Sequence, residues 1–101
     1  MSNKENGNCY EVAGRIALNS IDNTTSFVCH GEVVGKGKIK GIVHGHAWIE
    51  EGDMVIDKSN GKNITMPKSL YYKIGQIKNV KRYTFKEARE IMLEVCHFGD
   101  W

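Results

Sequence analysis

The sequence predicts an α+β domain, an antiparallel sheet packed with one helix near the N-terminus and one at the C-terminus. Three observations predict it. Apolar residues recur at helical spacing near both ends of the chain. Short β-rich segments lie between them. Turn-rich stretches separate those segments closely enough for hairpins rather than crossovers. A chain of 101 residues fits one domain and not two. We therefore expect a single domain over residues 1–101, with residues 1–7 as a flexible tail.

The elements follow in order. In "NCYEVAGRIALN", Cys9, Val12, Ala13 and Ile16 form the i, i+3, i+4, i+7 stripe of an amphipathic helix. Asn8 is a good N-cap, which would put Cys9 at the first helical position. Gly14 weakens that helix by about 1 kcal/mol relative to Ala but allows close packing. "NSIDNTTS" reads as a loop, "FVCHGEVVG" as a strand, and "KGKIKG" as a connection or hairpin. "IVHGHAWIE" and "DMVID" read as two strands of a hairpin, and "KSNGKN" as a loop. "MPKSLYYKIG" opens near a Pro and ends on Gly, the pattern of a short helix. "QIKNVKRY" is a strand candidate. "TFKEAREIMLEVCHFG" is the clearest helix. Thr84 and Glu87 form a capping box, Phe85, Ala88, Met92 and Val95 make its stripe with Ile91 beside it, and Gly99 is expected to stop it.

Composition narrows the class. Hydrophobic residues are 41% and charged residues 26%, the balance of a globular protein. No apolar run approaches the ~20 residues of a membrane span. The opening "MSNKENGN" lacks the apolar stretch of a signal peptide, so we expect a cytoplasmic protein. Cys9, Cys29 and Cys96 are an odd number without a CxxC pair, which argues against a disulfide framework and against a four-thiolate zinc site. Cys29-His30 and Cys96-His97 each pair two ligand types, but neighbours on a strand point to opposite faces, so a shared metal is not expected. No metal or cofactor is expected. Cys29 and Cys96 are expected to be buried, apolar-like side chains.

The hairpin "HGHAWIEEGDMVID" carries the chemistry. A Glu51-Gly52 loop places His46 directly opposite Asp57, and a Gly52-Asp53 loop places Trp48 opposite Asp57 and His46 diagonal to it. Either register puts His46 and Asp57 on one face. Ala47, Ile49, Met54 and Ile56 make the other, apolar face. A carboxylate beside an imidazole fixes its tautomer and stabilises imidazolium. A thiol at a helix start is the favoured setting for a reactive cysteine, since the helix dipole and free N–H groups favour thiolate and can help bind an oxyanion. Cys9, His46 and Asp57 thus supply nucleophile, acid/base and orienter. His44 shares the His46 face and is the alternative base. Trp48 is expected to pack beside the site or wall a substrate groove, and Asn8 and His44 are further groove or oxyanion candidates. Glu11 and Glu50 are expected to be exposed or structural.

"GNCYEVAGRIAL" resembles the nucleophile helix of transglutaminase-like and papain-like thiol enzymes. "GHAWIE" followed by "VID" resembles the transglutaminase-like pattern of His-Ala-Trp-x-Glu and a strand ending in Asp. The order Cys, His, Asp matches as well. These segments cover about a quarter of the chain, and the chain is similar to small bacterial and phage proteins of this superfamily. The resemblance implies a minimal papain-like or transglutaminase-like core. It implies a thiol hydrolase or acyltransferase acting on an amide, peptide or ester bond through Cys9, His46 and Asp57. This chain departs from the pattern in its short Cys9-to-His46 spacing. It also lacks a Gln before Cys9, where only Asn3, Asn6 and Asn8 stand.

A second expectation rests on charge. Net charge is +2, yet Lys58, Lys62, Lys68, Lys73, Lys78, Lys81 and Arg82 follow one another with no Asp or Glu between them. Such a run is either a solvated face or the contact of a non-enzymatic binding or accessory protein with an anionic partner. Interleaved Tyr71, Tyr72 and Tyr83 are compatible with nucleic acid, but no recognised nucleic-acid motif supports it.

Overall fold

A computed structural model describes residues 3–35, 41–99 and 101. The architecture is α+β. Its elements are helix α1 (Asn3–Asn19), strands β1 (Phe27–Val34), β2 (Val43–Glu51), β3 (Met54–Asp57) and β4 (Ile64–Pro67), helix α2 (Lys68–Gly75), strand β5 (Lys78–Thr84) and helix α3 (Phe85–Val95). The sheet is antiparallel in the order β4-β3-β2-β1-β5. Most of the connection expected at "KGKIKG" lies outside the described residues. Among the described residues no helix is long and apolar enough to cross a membrane.

The sheet is covered on both faces, and strand alternation decides which residue goes where. Val28, Ala47 and Ile49 point to the face covered by α1 and α3, joining Ala13, Ala17, Phe85, Ala88 and Met92. Cys29, Trp48 and Val55 point to the opposite face, where α2 brings Tyr71 and Tyr72. β1 lies between two neighbours, so Val28, Cys29 and His30 are all buried. Cys29 and His30 face opposite sides: Cys29 packs with Trp48, while His30 meets the rings of Tyr10, Tyr83 and Trp101. In β5 the pairing with β1 slips between His30 and Glu32, and Asn79 takes a left-handed backbone (φ 57°), the mark of a bulge.

Four expectations change. α1 begins at Asn3, so residues 3–7 are its opening turns rather than a tail, and Asn8 is not its N-cap. The sequence hides this start because residues 3–7 show no apolar periodicity from which a helix can be read. β4 is an additional edge strand, pairing Ile64 to Asp57 and Pro67 to Met54. Proline is tolerated there because an edge position does not need every N–H. α3 ends at Val95, before Gly99, because Cys96 itself adopts the left-handed cap (φ 62°). Cys96 is exposed rather than buried. The capping box at Thr84 and Glu87 is present with both reciprocal hydrogen bonds.

Candidate functional site

The β2–β3 ladder runs Glu51↔Met54, Glu50↔Val55 and Ile49↔Ile56, so the loop is Gly52-Asp53. Trp48 is then next in line to face Asp57, and His46 sits one step along the diagonal. The ladder stops at Ile49↔Ile56. Beyond it, α1 packs against β2 and against a 3-10 turn at Ser59–Gly61. Cys9, on α1, comes to His46 at this flank.

His46 Nε2 lies 3.0 Å from Asp57 Oδ2, and the Cys9 thiol is hydrogen-bonded to the same imidazole. The side chains are 12% and 2% exposed for His46 and Asp57, and Cys9 is 5% exposed. Burial of His46 opposes its charge, but hydrogen bonds to Asp57 and Cys9 outweigh it and raise the imidazole from 6.5 to about 9. Burial likewise opposes ionisation of Asp57. Hydrogen bonds from His46 and Ser59 prevail and hold its carboxyl far below the usual range. His46 is therefore an imidazolium facing a carboxylate at neutral pH.

Asp57 is held by more than His46. Its Oδ1 accepts from the Ser59 N–H at 3.0 Å and the Ser59 hydroxyl at 2.6 Å. Its Oδ2 also accepts from the Tyr71 hydroxyl at 2.8 Å, and Lys62 Nζ stands 4.0 Å away. Burial, then the Asp57 charge, push the Tyr71 phenol upward, so it remains a donor. From sequence, Ser59 is not named, and Tyr71 is named only beside the basic run, not as a partner of Asp57. "DKS" carried a signal for Ser59, since Asp followed two residues on by Ser is the pattern of an Asx turn. Nothing local marks Tyr71, which reaches Asp57 only through the packing of α2.

The other sequence candidates fall apart from this cluster. His44 is exposed, and its Nδ1 lies 3.2 Å from the Gly45 carbonyl oxygen, so His46 rather than His44 meets Cys9 and Asp57. Trp48 is buried. It stacks beside His46 at 6.0 Å and donates to Glu50 at 3.1 Å, so it backs the imidazole and does not wall an open groove. Asn8 precedes Cys9 inside α1, and Cys9 lies close to two turns from the helix start. The expected help from free N–H groups and the helix dipole, which act within the first turn, does not reach Cys9. Among the described residues no group of three or more His, Cys, Asp or Glu is arranged to hold a metal.

Part of the basic run turns inward. Glu50 is 2% exposed and accepts from Trp48, from the Tyr72 hydroxyl and from Arg82 Nε at 3.0 Å, with Lys68 Nζ at 3.8 Å. Burial opposes the Glu50 charge, but these donors outweigh it and lower its carboxyl. Burial and the Glu50 charge push the Cys29 thiol strongly up, so Cys29 stays protonated. Lys62, Lys68 and Arg82 thus serve buried carboxylates, and Lys81 donates to the Trp101 carbonyl.

Comparisons with family models, with curated proteins and with solved structures found no match.

Proposed function

We propose that the protein is a minimal thiol hydrolase or acyltransferase of papain-like or transglutaminase-like design, with Cys9 as nucleophile, His46 as acid/base and Asp57 as the group that orients His46. One observation carries the reading. A single imidazole is hydrogen-bonded to both Cys9 and Asp57. Pairing of β2 with β3 accounts for His46 and Asp57 sharing a face, but no local packing rule brings Cys9 of α1 to them. The carboxylate keeps the imidazole charged, and an imidazolium beside the reacting sulfur is ready to protonate a leaving amine or alcohol. A structural Cys–His contact would not need an Asp with four hydrogen bonds behind it. A binding role for the basic run draws less support, because Lys68 and Arg82 neutralise Glu50.

Thiol chemistry tests the proposal. The thiolate is the nucleophilic form of cysteine, and a neighbouring imidazolium is among the settings that favour it. Iodoacetamide labelling, read residue by residue by mass spectrometry at pH 7, should modify Cys9 faster than exposed Cys96. It should leave Cys29 unmodified in the folded state. His46→Ala should slow Cys9 by roughly tenfold or more. Equal labelling of Cys9 and Cys96, unchanged by His46→Ala, would remove the basis of the proposal.

A further inference from the structure

The space in front of Cys9 and His46 is lined by a few polar groups and a larger set of aliphatic ones. A groove of about 720 Å³ runs from Cys9 between the β1–β2 pair, β4 and α2. That volume is in the range of small-ligand sites. Cys9, His46, Asp57 and Lys62 meet one another in its lining, and His44 lines it separately. Val33, Ile42, Ile64, Met66, Ile74 and Ile77 supply its apolar lining. Ile42 and Ile74 are exposed, although they are large aliphatic side chains. Contiguous exposed apolar surface beside buried polar groups is the pattern of a ligand site rather than of ordinary surface.

Charge narrows the occupant. Among the described lining residues, Asp57 is the only carboxylate. Its oxygens are already engaged by His46, Ser59 and Tyr71, with Lys62 nearby. A cationic group entering the groove would meet Lys62 and the His46 imidazolium and find no acid to receive it. Tyr71 directs its hydroxyl to Asp57 and so offers the groove its ring. We infer that this groove holds an aliphatic, uncharged acyl group, so that the substrate is an ester, thioester or amide of an aliphatic carboxylic acid. The inference rests on the proposed thiol chemistry.

The reaction balances with water as co-reactant. Cys9 sulfur attacks the acyl carbon and forms a C–S bond. The bond to the leaving oxygen, sulfur or nitrogen breaks, and that atom takes the proton from His46. Water then attacks the thioester and gives a proton to His46, the C–S bond breaks, and the acid and the Cys9 sulfur are released. The chain of the acyl group lies along the groove throughout.

A series of 4-nitrophenyl esters tests this on the intact protein: acetate, butyrate, hexanoate and the cationic 6-aminohexanoate. After subtraction of spontaneous hydrolysis, kcat/KM should rise about two- to fourfold per methylene, the upper figure corresponding to the ~0.8 kcal/mol of a fully buried CH₂. The 6-aminohexanoate should fall at least tenfold below the hexanoate. Ile74→Ser should flatten the chain-length dependence while thermal unfolding followed by circular dichroism stays cooperative. Met66→Ser supplies the same test from the opposite wall. Turnover that is indifferent to chain length, or that prefers the cationic ester, overturns the groove assignment and leaves the thiol chemistry standing. Absence of both turnover and an acyl adduct on Cys9 overturns both.

Discussion

His46 has its charge set by a contest that individual substitutions can tilt either way. Burial disfavours imidazolium, while Asp57 and Cys9 favour it and win, raising it to about 9. If His46 donates the leaving-group proton, activity should fall as pH rises through that value. Asp57→Asn removes the charged acceptor, so the alkaline limb of kcat/KM should move to lower pH by roughly a unit or more. Activity should drop roughly 10²–10⁴-fold. Tyr71→Phe should act with the opposite sign. Tyr71 and His46 donate to the same Asp57 oxygen, so removing the phenol leaves more negative charge for the imidazolium. The limb should then move up, with about 1 kcal/mol lost in stability. The pH dependence of kcat/KM measured on both variants decides the matter. Shifts in one common direction would mean that Tyr71 is packing rather than positioning His46.

The elements differ in how plainly the sequence announces them. α3 carried a full local signature at its start, and its capping box is in place, whereas its stop at Cys96 was not marked. Thr84→Ala should cost about 1 kcal/mol, a fall of roughly 4–8 °C in midpoint for a domain near this size. Thermal melting checks it, and an unchanged midpoint would mean that the cap is redundant. The β2–β3 hairpin was legible too, since alternation alone put His46 and Asp57 on one face, though only the ladder chose the Gly52-Asp53 loop. β4 was hidden because four residues ending in Pro are too short to show a period. The start of α1 was hidden because Asn8 resembles a cap, yet caps are decided by the backbone before them. That misreading mattered chemically, for it lent Cys9 a helix terminus it does not have. Cys9, His46 and Asp57 could be named from residue type and strand parity. Ser59 needed the turn after β3, and Tyr71 needed the docking of α2. Such long-range placement leaves no trace in local sequence.

Across the whole molecule, two buried carboxylates hold the α2 side of the sheet together. Consecutive residues of α2 serve them, Tyr71 donating to Asp57 and Tyr72 to Glu50. The site is therefore part of the load that keeps α2 docked, and protonation should change stability as well as activity. The imidazole of His46 is raised from 6.5 to about 9, so its contribution is complete below pH 6.5 and is lost as pH rises through 9. The carboxyl of Asp57 is lowered from 3.8, so its contribution is present above that pH and is lost as pH falls toward the depressed folded value. Both directions describe one interaction and count once, on the order of 2 kcal/mol. The stabilisation from this pair should be greatest between about pH 4 and 6.5. Urea unfolding of the wild type and of His46→Ala at pH 5.5, 7.5 and 9.5 isolates the effect, because other titrating groups are common to both proteins. The stability difference between them should shrink steadily from pH 5.5 to 9.5. A difference that stays constant over that range would show that His46 does not carry its charge into the folded state, and the acid role assigned to it would fall with the pair.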